Sequence, residues 1–98
     1  MSNIANIIYE QLGGHRFSLM TGSSNFVNVG NGLNMKLKPN QSKTKYLLIE
    51  LNSNDTYKMQ FYTVNKDFDK NIKFEYQNIY WDQMQEIFEK VTGLYTKL

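Results

Sequence analysis

His15 is the only histidine in this sequence and so its one candidate for general acid or base work, and it stands beside the only arginine, Arg16, in the segment LGGHRFSLMTGSSNF, residues 12–26. General acid or base catalysis needs more than one imidazole: a nucleophile in reach, a group that orients the base, and donors for the developing charge. The sequence supplies no second histidine, no cysteine and no serine in a nucleophile-elbow pattern. His15 therefore reads as a loop histidine bonded to backbone, and no catalytic residue is assigned. Asp67 and Asp69 flank Phe68 in a polar loop, and Asp82, Glu86 and Glu89 recur at spacings of four and three. Such runs are solvated faces, because a site built from oxygen ligands needs six or so converging on one point. Gly13 and Gly14 follow a helical pattern instead of a strand, and no Lys-Ser or Lys-Thr pair completes a phosphate loop. Neither a metal nor an organic cofactor is expected, and an enzyme is not the class these residues indicate.

Binding chemistry is better represented. Residues 36–73 hold eight lysines against four acidic residues, whereas residues 75–89 hold four acidic residues and no cation, so the chain is electrically polarised despite a net charge of only +2. If alternation along the strands is regular, Arg16, Ser18, Lys36, Lys38, Lys58, Gln60, Tyr62 and Lys73 project together from one face of a sheet. Cations that follow a phosphate backbone, with an aromatic ring on which a base can stack, are the ingredients of a single-stranded nucleic-acid surface. Arg16, Lys36, Lys38, Lys58 and Lys73 would meet phosphate, and Tyr62 would stack. The alternative is a protein partner, such as a host or defence enzyme that the chain inhibits. It would be met by Met20 and Phe26 at a hairpin tip and by Trp81 and Tyr95 at the two ends of the last helix, since Trp and Tyr are enriched in interface hot spots.

The elements that would position these residues follow from hydrophobic spacing. Ile4, Ile7, Ile8 and Leu12 form one helical stripe that Ser2 can cap and that Gly13 and Gly14 end. From Arg16 the pattern alternates, Phe17 and Leu19 against Arg16, Ser18 and Met20, which predicts a strand. Residues 21–24 then turn it into a second strand over 25–29. Gly30-Asn31-Gly32 is a tight-hairpin signal. Beyond it Leu33, Met35 and Leu37 alternate with Asn34, Lys36 and Lys38. Residues 39–44 read as a free polar loop, 46–51 as a central strand, 56–64 as its antiparallel neighbour, and 72–77 as one more strand. Met84, Ile87, Phe88 and Val91, with Tyr80 one turn earlier, form the stripe of a last helix that Gly93 ends. The fold class is α+β: an antiparallel meander of five or six strands with an N-terminal and a C-terminal helix on one face.

At 98 residues, 41% of them apolar, the chain is expected to be a single domain, residues 1–98, able to build one core. The lack of cysteine fits a reducing compartment. No signal-peptide pattern or apolar run of membrane-spanning length is readable, so a cytoplasmic protein without a membrane partner is expected.

Several motifs lie outside this account. Leu12-Gly13-Gly14-x-Arg16-Phe17, Met20-Thr21-Gly22 with Phe26 following, Ile79-Tyr80-x-Asp82-Gln83-x-x-x-Ile87-Phe88-Glu89 and Thr92-Gly93-Leu94-Tyr95-Thr96 resemble a family of short proteins of unknown function encoded by bacteriophages and prophages. His15 stands where members of that family usually carry Asn. The resemblance implies a phage protein in the cytoplasm of a bacterial host and brings no activity with it. The order of strands followed by a helix is also similar to the Whirly and transcriptional-coactivator type of single-stranded DNA-binding domain, which implies a homodimer; the N-terminal helix departs from that pattern.

Overall fold

The computed structural model describes residues 3–96. Helix α1, Ile4–Leu12, is capped by Asn3, whose Oδ1 accepts the Asn6 amide at 2.7 Å. The expected cap at Ser2 lies outside the described residues. Ile8 and Leu12 are fully buried, together with Ala5, while Ile7 points to solvent. Gly13, at φ +126°, breaks the chain direction, and helix α2, Gly14–Thr21, starts at once. The strand expected from Arg16 and the hairpin turn expected at 21–24 are therefore corrected to a second helix and its exit. The longer segment around the alternating residues satisfies a helical period: Gly14, Phe17 and Thr21 are buried at i, i+3 and i+7. Thr21 Oγ1 donates to the Phe17 carbonyl at 2.7 Å and Ser18 Oγ to that of His15 at 2.8 Å, bonds that only a helical turn brings within reach. Leu19, expected beside Phe17, lies on the opposite side of the helix, 70% exposed.

Five strands follow: β1, Ser24–Asn28; β2, Gly32–Lys36; β3, Tyr46–Leu51; β4, Tyr57–Val64; and β5, Lys70–Ile79. They form one antiparallel sheet in the order β1-β2-β3-β4-β5. The fold is α+β, as the patterns predict, with two N-terminal helices instead of one. Alternation puts Leu33 and Met35, Leu47 and Ile49, and Met59 and Phe61 on the face that meets the helices, all buried. A single 3-10 turn, Trp81–Gln83, leads into helix α3, Met84–Thr92. Met84, Phe88 and Val91 are buried on it, whereas Tyr80, expected to extend the stripe, is exposed. Phe88 meets Phe17 edge to face at 5.0 Å between ring centres and Phe61 at 6.5 Å, joining both ends of the chain to the sheet. α1 packs on β1 and β2, and among the described residues the opposite face of the sheet carries no helix.

The loop at 39–44, expected to be free, is fastened. Asn40 donates to the carbonyls of Lys38 and Thr44 and accepts from Ser42. Gln41 donates from its backbone to the Thr92 carbonyl and from Nε2 to those of Lys90 and Val91, capping the C-terminal end of α3. No helix of the described residues is long and apolar enough to cross a membrane.

Replacing Phe17 by Ala should cost about 3–5 kcal/mol in urea denaturation, the usual loss for an emptied aromatic core site, while Leu19→Ala should change stability by less than about 0.5 kcal/mol. A strand with both side chains on one face would make the two losses comparable.

Candidate nucleic-acid interface

The face of the sheet that the helices leave open is ordered in rows by strand register. Lys36, Tyr46, Tyr62 and Ile72 lie side by side across β2 to β5. Asn34, Leu48, Gln60 and Glu75 form the next row, and Gly32, Glu50 and Lys58 a third. The first row holds the aromatic surface. Tyr46 and Tyr62 stack with ring centres 5.3 Å apart at 22°, and Lys70 Nζ lies 4.5 Å from the centre of the Tyr62 ring. Tyr46 and Lys70 reach Tyr62 from the strands on its two sides, so its faces are occupied within the molecule. Its hydroxyl donates to Asn34 Oδ1 at 2.7 Å, and burial pushes its pKa above the ordinary tyrosine value. Tyr62 is thus the buttress of the row. Tyr46 has Lys36 as its neighbour on the other side.

The second and third rows are largely internally satisfied. Lys70 donates to Gln60 Oε1 at 2.8 Å, and Gln60 Nε2 donates to Glu75. Hydrogen bonds from Gln60 and Gln77 hold the Glu75 carboxyl below its ordinary pKa, with Lys58 and Lys70 acting in the same direction. Lys58 Nζ lies 2.9 Å from Glu50 Oε1, so this expected phosphate contact is committed to an ion pair within the sheet.

Positive charge collects at one end of the sheet. The β2–β3 and β4–β5 connections lie at the same end of the antiparallel meander. They and the adjoining strand ends bring together Lys36, Lys38, Lys43, Lys45, Lys66, Lys70 and Lys73, against only Asp67 and Asp69. The β2–β3 connection encloses a cleft of about 570 Å³ lined by Lys36, Leu37, Pro39, Asn40, Lys43, Thr44, Lys45 and Tyr46. No carboxylate lines it, and the Asn40 and Gln41 bonds described above fix its wall.

The other expected site residues are distributed as follows. Arg16 is exposed on α2, in the helical layer, and does not share the face of Lys36. Lys38 lies past the end of β2, with its alkyl stem against Gly22. Lys73 is the unpaired residue of a bulge in β5, where Phe61 pairs with Phe74 and Tyr62 with Ile72. Met20 and Phe26 form no hairpin tip: Met20 is on α2, and Phe26 sits mid-strand in β1, edge to face with Tyr9 at 5.0 Å. Trp81 and Tyr95 stand 59% and 71% exposed. His15 is exposed on α2, and among the described residues no three His, Cys, Asp or Glu side chains are grouped so as to hold a metal. Sequence reasoning missed Lys43, Lys45, Tyr46 and Lys70 as site residues. The signal was Lys43-x-Lys45-Tyr46 directly after a proline-led loop, which turns a cationic loop into an aromatic strand. No protein-family model, curated protein or solved structure matches the chain.

A carboxyl-resolved NMR titration should find Glu75 ionising below the ordinary glutamate range, and Gln60→Ala should raise its midpoint toward that range. Because the folded pKa is lowered, the stabilisation this carboxylate contributes is present above the ordinary glutamate value and is lost as pH falls through the folded one. An ordinary midpoint in both proteins would mean that the Gln60–Glu75 bond is not held in solution.

Proposed function

We propose that the chain is a binding protein for single-stranded nucleic acid, held at the basic end of the open sheet face. The observation that carries this reading is the cleft at the β2–β3 connection, where Lys36, Lys43 and Lys45 surround Tyr46 without a carboxylate in the lining. Lysine side chains bind phosphate as mobile point charges and gain by releasing condensed counterions. A tyrosine face accepts any base, since every base has a π surface. Tyr46 is pre-positioned for this by its stack on Tyr62, so little side-chain freedom is lost on binding. Lys70 and Lys73 extend the positive track along the same end of the sheet toward β5, and Lys36 links it to the cleft. Duplex DNA is the poorer ligand, because its bases are already stacked on one another.

The setting proposed is the cytoplasm of a phage-infected bacterium, supported by the resemblance of the LGGHRF, MTG and TGLYT segments to short phage proteins. A second reading, a protein partner such as a host or defence enzyme, is favoured by the exposure of Trp81 before α3 and of Tyr95 after it.

Fluorescence anisotropy with a labelled single-stranded oligo(dT) at several salt concentrations tests the proposal. Each phosphate contact contributes about 0.7 to the log–log salt slope of a single strand, so replacing Lys36, Lys43 and Lys45 together by Ala should flatten the slope by about 2. Tyr46→Leu should weaken binding by about 1–3 kcal/mol at an unchanged slope, and Lys58→Ala should leave both unchanged. Absence of binding at low salt would overturn the nucleic-acid reading and direct attention to Trp81 and Tyr95.

A further inference from the structure

β5 is the longest strand of the sheet, and eight of its ten residues are exposed. It spans ten residues, pairs on one side only, and buries only Ile79. Ile72 and Phe74 stand 42% and 40% exposed on it. On the helical side, Phe74 and Tyr76 line a groove of about 340 Å³ together with Gln41, Ser42, Lys90 and Val91. An unpaired edge of this kind is a template for another strand, and lysines and bulges are the usual means of blocking it. β5 carries both at Lys73. It also carries Glu75 two residues further on, and this pair makes the edge selective.

We propose that β5 is a homodimer interface, pairing antiparallel with β5 of a second copy about a two-fold axis at Phe74 to give one continuous sheet that joins the five strands of each protomer. In that register Lys73 of each protomer faces Glu75 of its partner, twice by symmetry. The two Phe74 rings meet at the axis, over the groove each protomer leaves beside α3. Opposite charges directly across an antiparallel pair stabilise it, and like charges there destabilise it. Shifting the axis by one residue toward the N-terminus sets Lys73 against Lys73, and by one toward the C-terminus sets Glu75 against Glu75. Charge therefore selects one register for self-pairing and rejects its two neighbours. The interface is isologous, as a closed dimer requires. It places both open faces on the same side of the joint sheet, with their basic ends at opposite ends, and it does not depend on what those lysines bind.

Sedimentation equilibrium over a roughly hundredfold range of protein concentration up to several hundred micromolar tests this. The wild-type chain should reach twice its 11.6 kDa mass. Lys73→Glu and Glu75→Lys should each weaken the dimer at least about tenfold, because each sets two like pairs across the axis. An equimolar mixture of the two variants should dimerise again, since both carboxylates of the first variant then face the two ammonium groups of the second. This recovery separates an interface effect from a folding defect, which mixing would not repair. A wild-type chain that stays monomeric throughout, or a dimer that both single variants leave intact, would overturn the proposal. Two variants that remain monomeric when mixed would do the same.

Discussion

Burial of Met35, Leu47, Ile49, Met59 and Phe61 beneath Ile8, Phe17 and Phe88 determines which face of the sheet meets water. Side chains alternate along a strand, so a one-residue slip would expose the whole apolar set, and register is held wherever one face is buried. The arrangement of the open face is a consequence. Once Met35 and Leu47 are paired in the core, Lys36 must stand beside Tyr46, and Tyr46 beside Tyr62. The aromatic row is thus fixed by apolar contacts on the far side of the sheet.

The same register sorts the charges. Glu50 and Lys58 pair across β3 and β4, and Gln60 bridges Lys70 and Glu75, so the middle of the open face is a closed polar network. What remains is concentrated where the strands end. Four lysines, Lys36, Lys38, Lys43 and Lys45, lie on or around one short connection, and the chain spends Asn40 and Gln41 on holding that connection in shape. A loop bearing like charges would lower its energy by spreading into solvent. Tethering it to the carbonyls of α3 keeps the charges close, which is costly for a bare surface and useful for one that meets a polyanion. Of the two acidic side chains of α3, Glu86 is exposed, whereas Glu89 accepts from the backbone and the hydroxyl of Thr96.

The central strands were legible in the sequence because Leu33, Met35 and Leu37 alternate cleanly after Gly30-Asn31-Gly32, and because residues 46–51 are apolar at nearly every position. The segment at 16–20 was misread because five residues fit a period of two as well as part of a 3.6-residue turn. The deciding contacts, Thr21 and Ser18 to carbonyls one turn back, are not visible in a hydrophobic pattern. The candidate site differs in membership from the expected one. Alternation alone put Lys36 and Tyr62 on one face, but Lys58 found Glu50, Arg16 went with its helix, and Tyr62 was enclosed by Tyr46 and Lys70. Lys43 and Lys45 stand next to Tyr46 in the chain, whereas Lys70 reaches Tyr62 through the pairing of β4 with β5, about which local spacing carries no information.

The most direct test of the central claim, that the lysine cleft and Tyr46 form the binding surface, is a two-dimensional NMR titration of the labelled chain with single-stranded oligo(dT). Shift changes concentrated at Lys36, Asn40, Lys43, Lys45 and Tyr46, fading toward Glu50 and absent from α2 and α3, are the result the account predicts. Changes centred on Trp81 and Tyr95, or no changes at low salt, would contradict it.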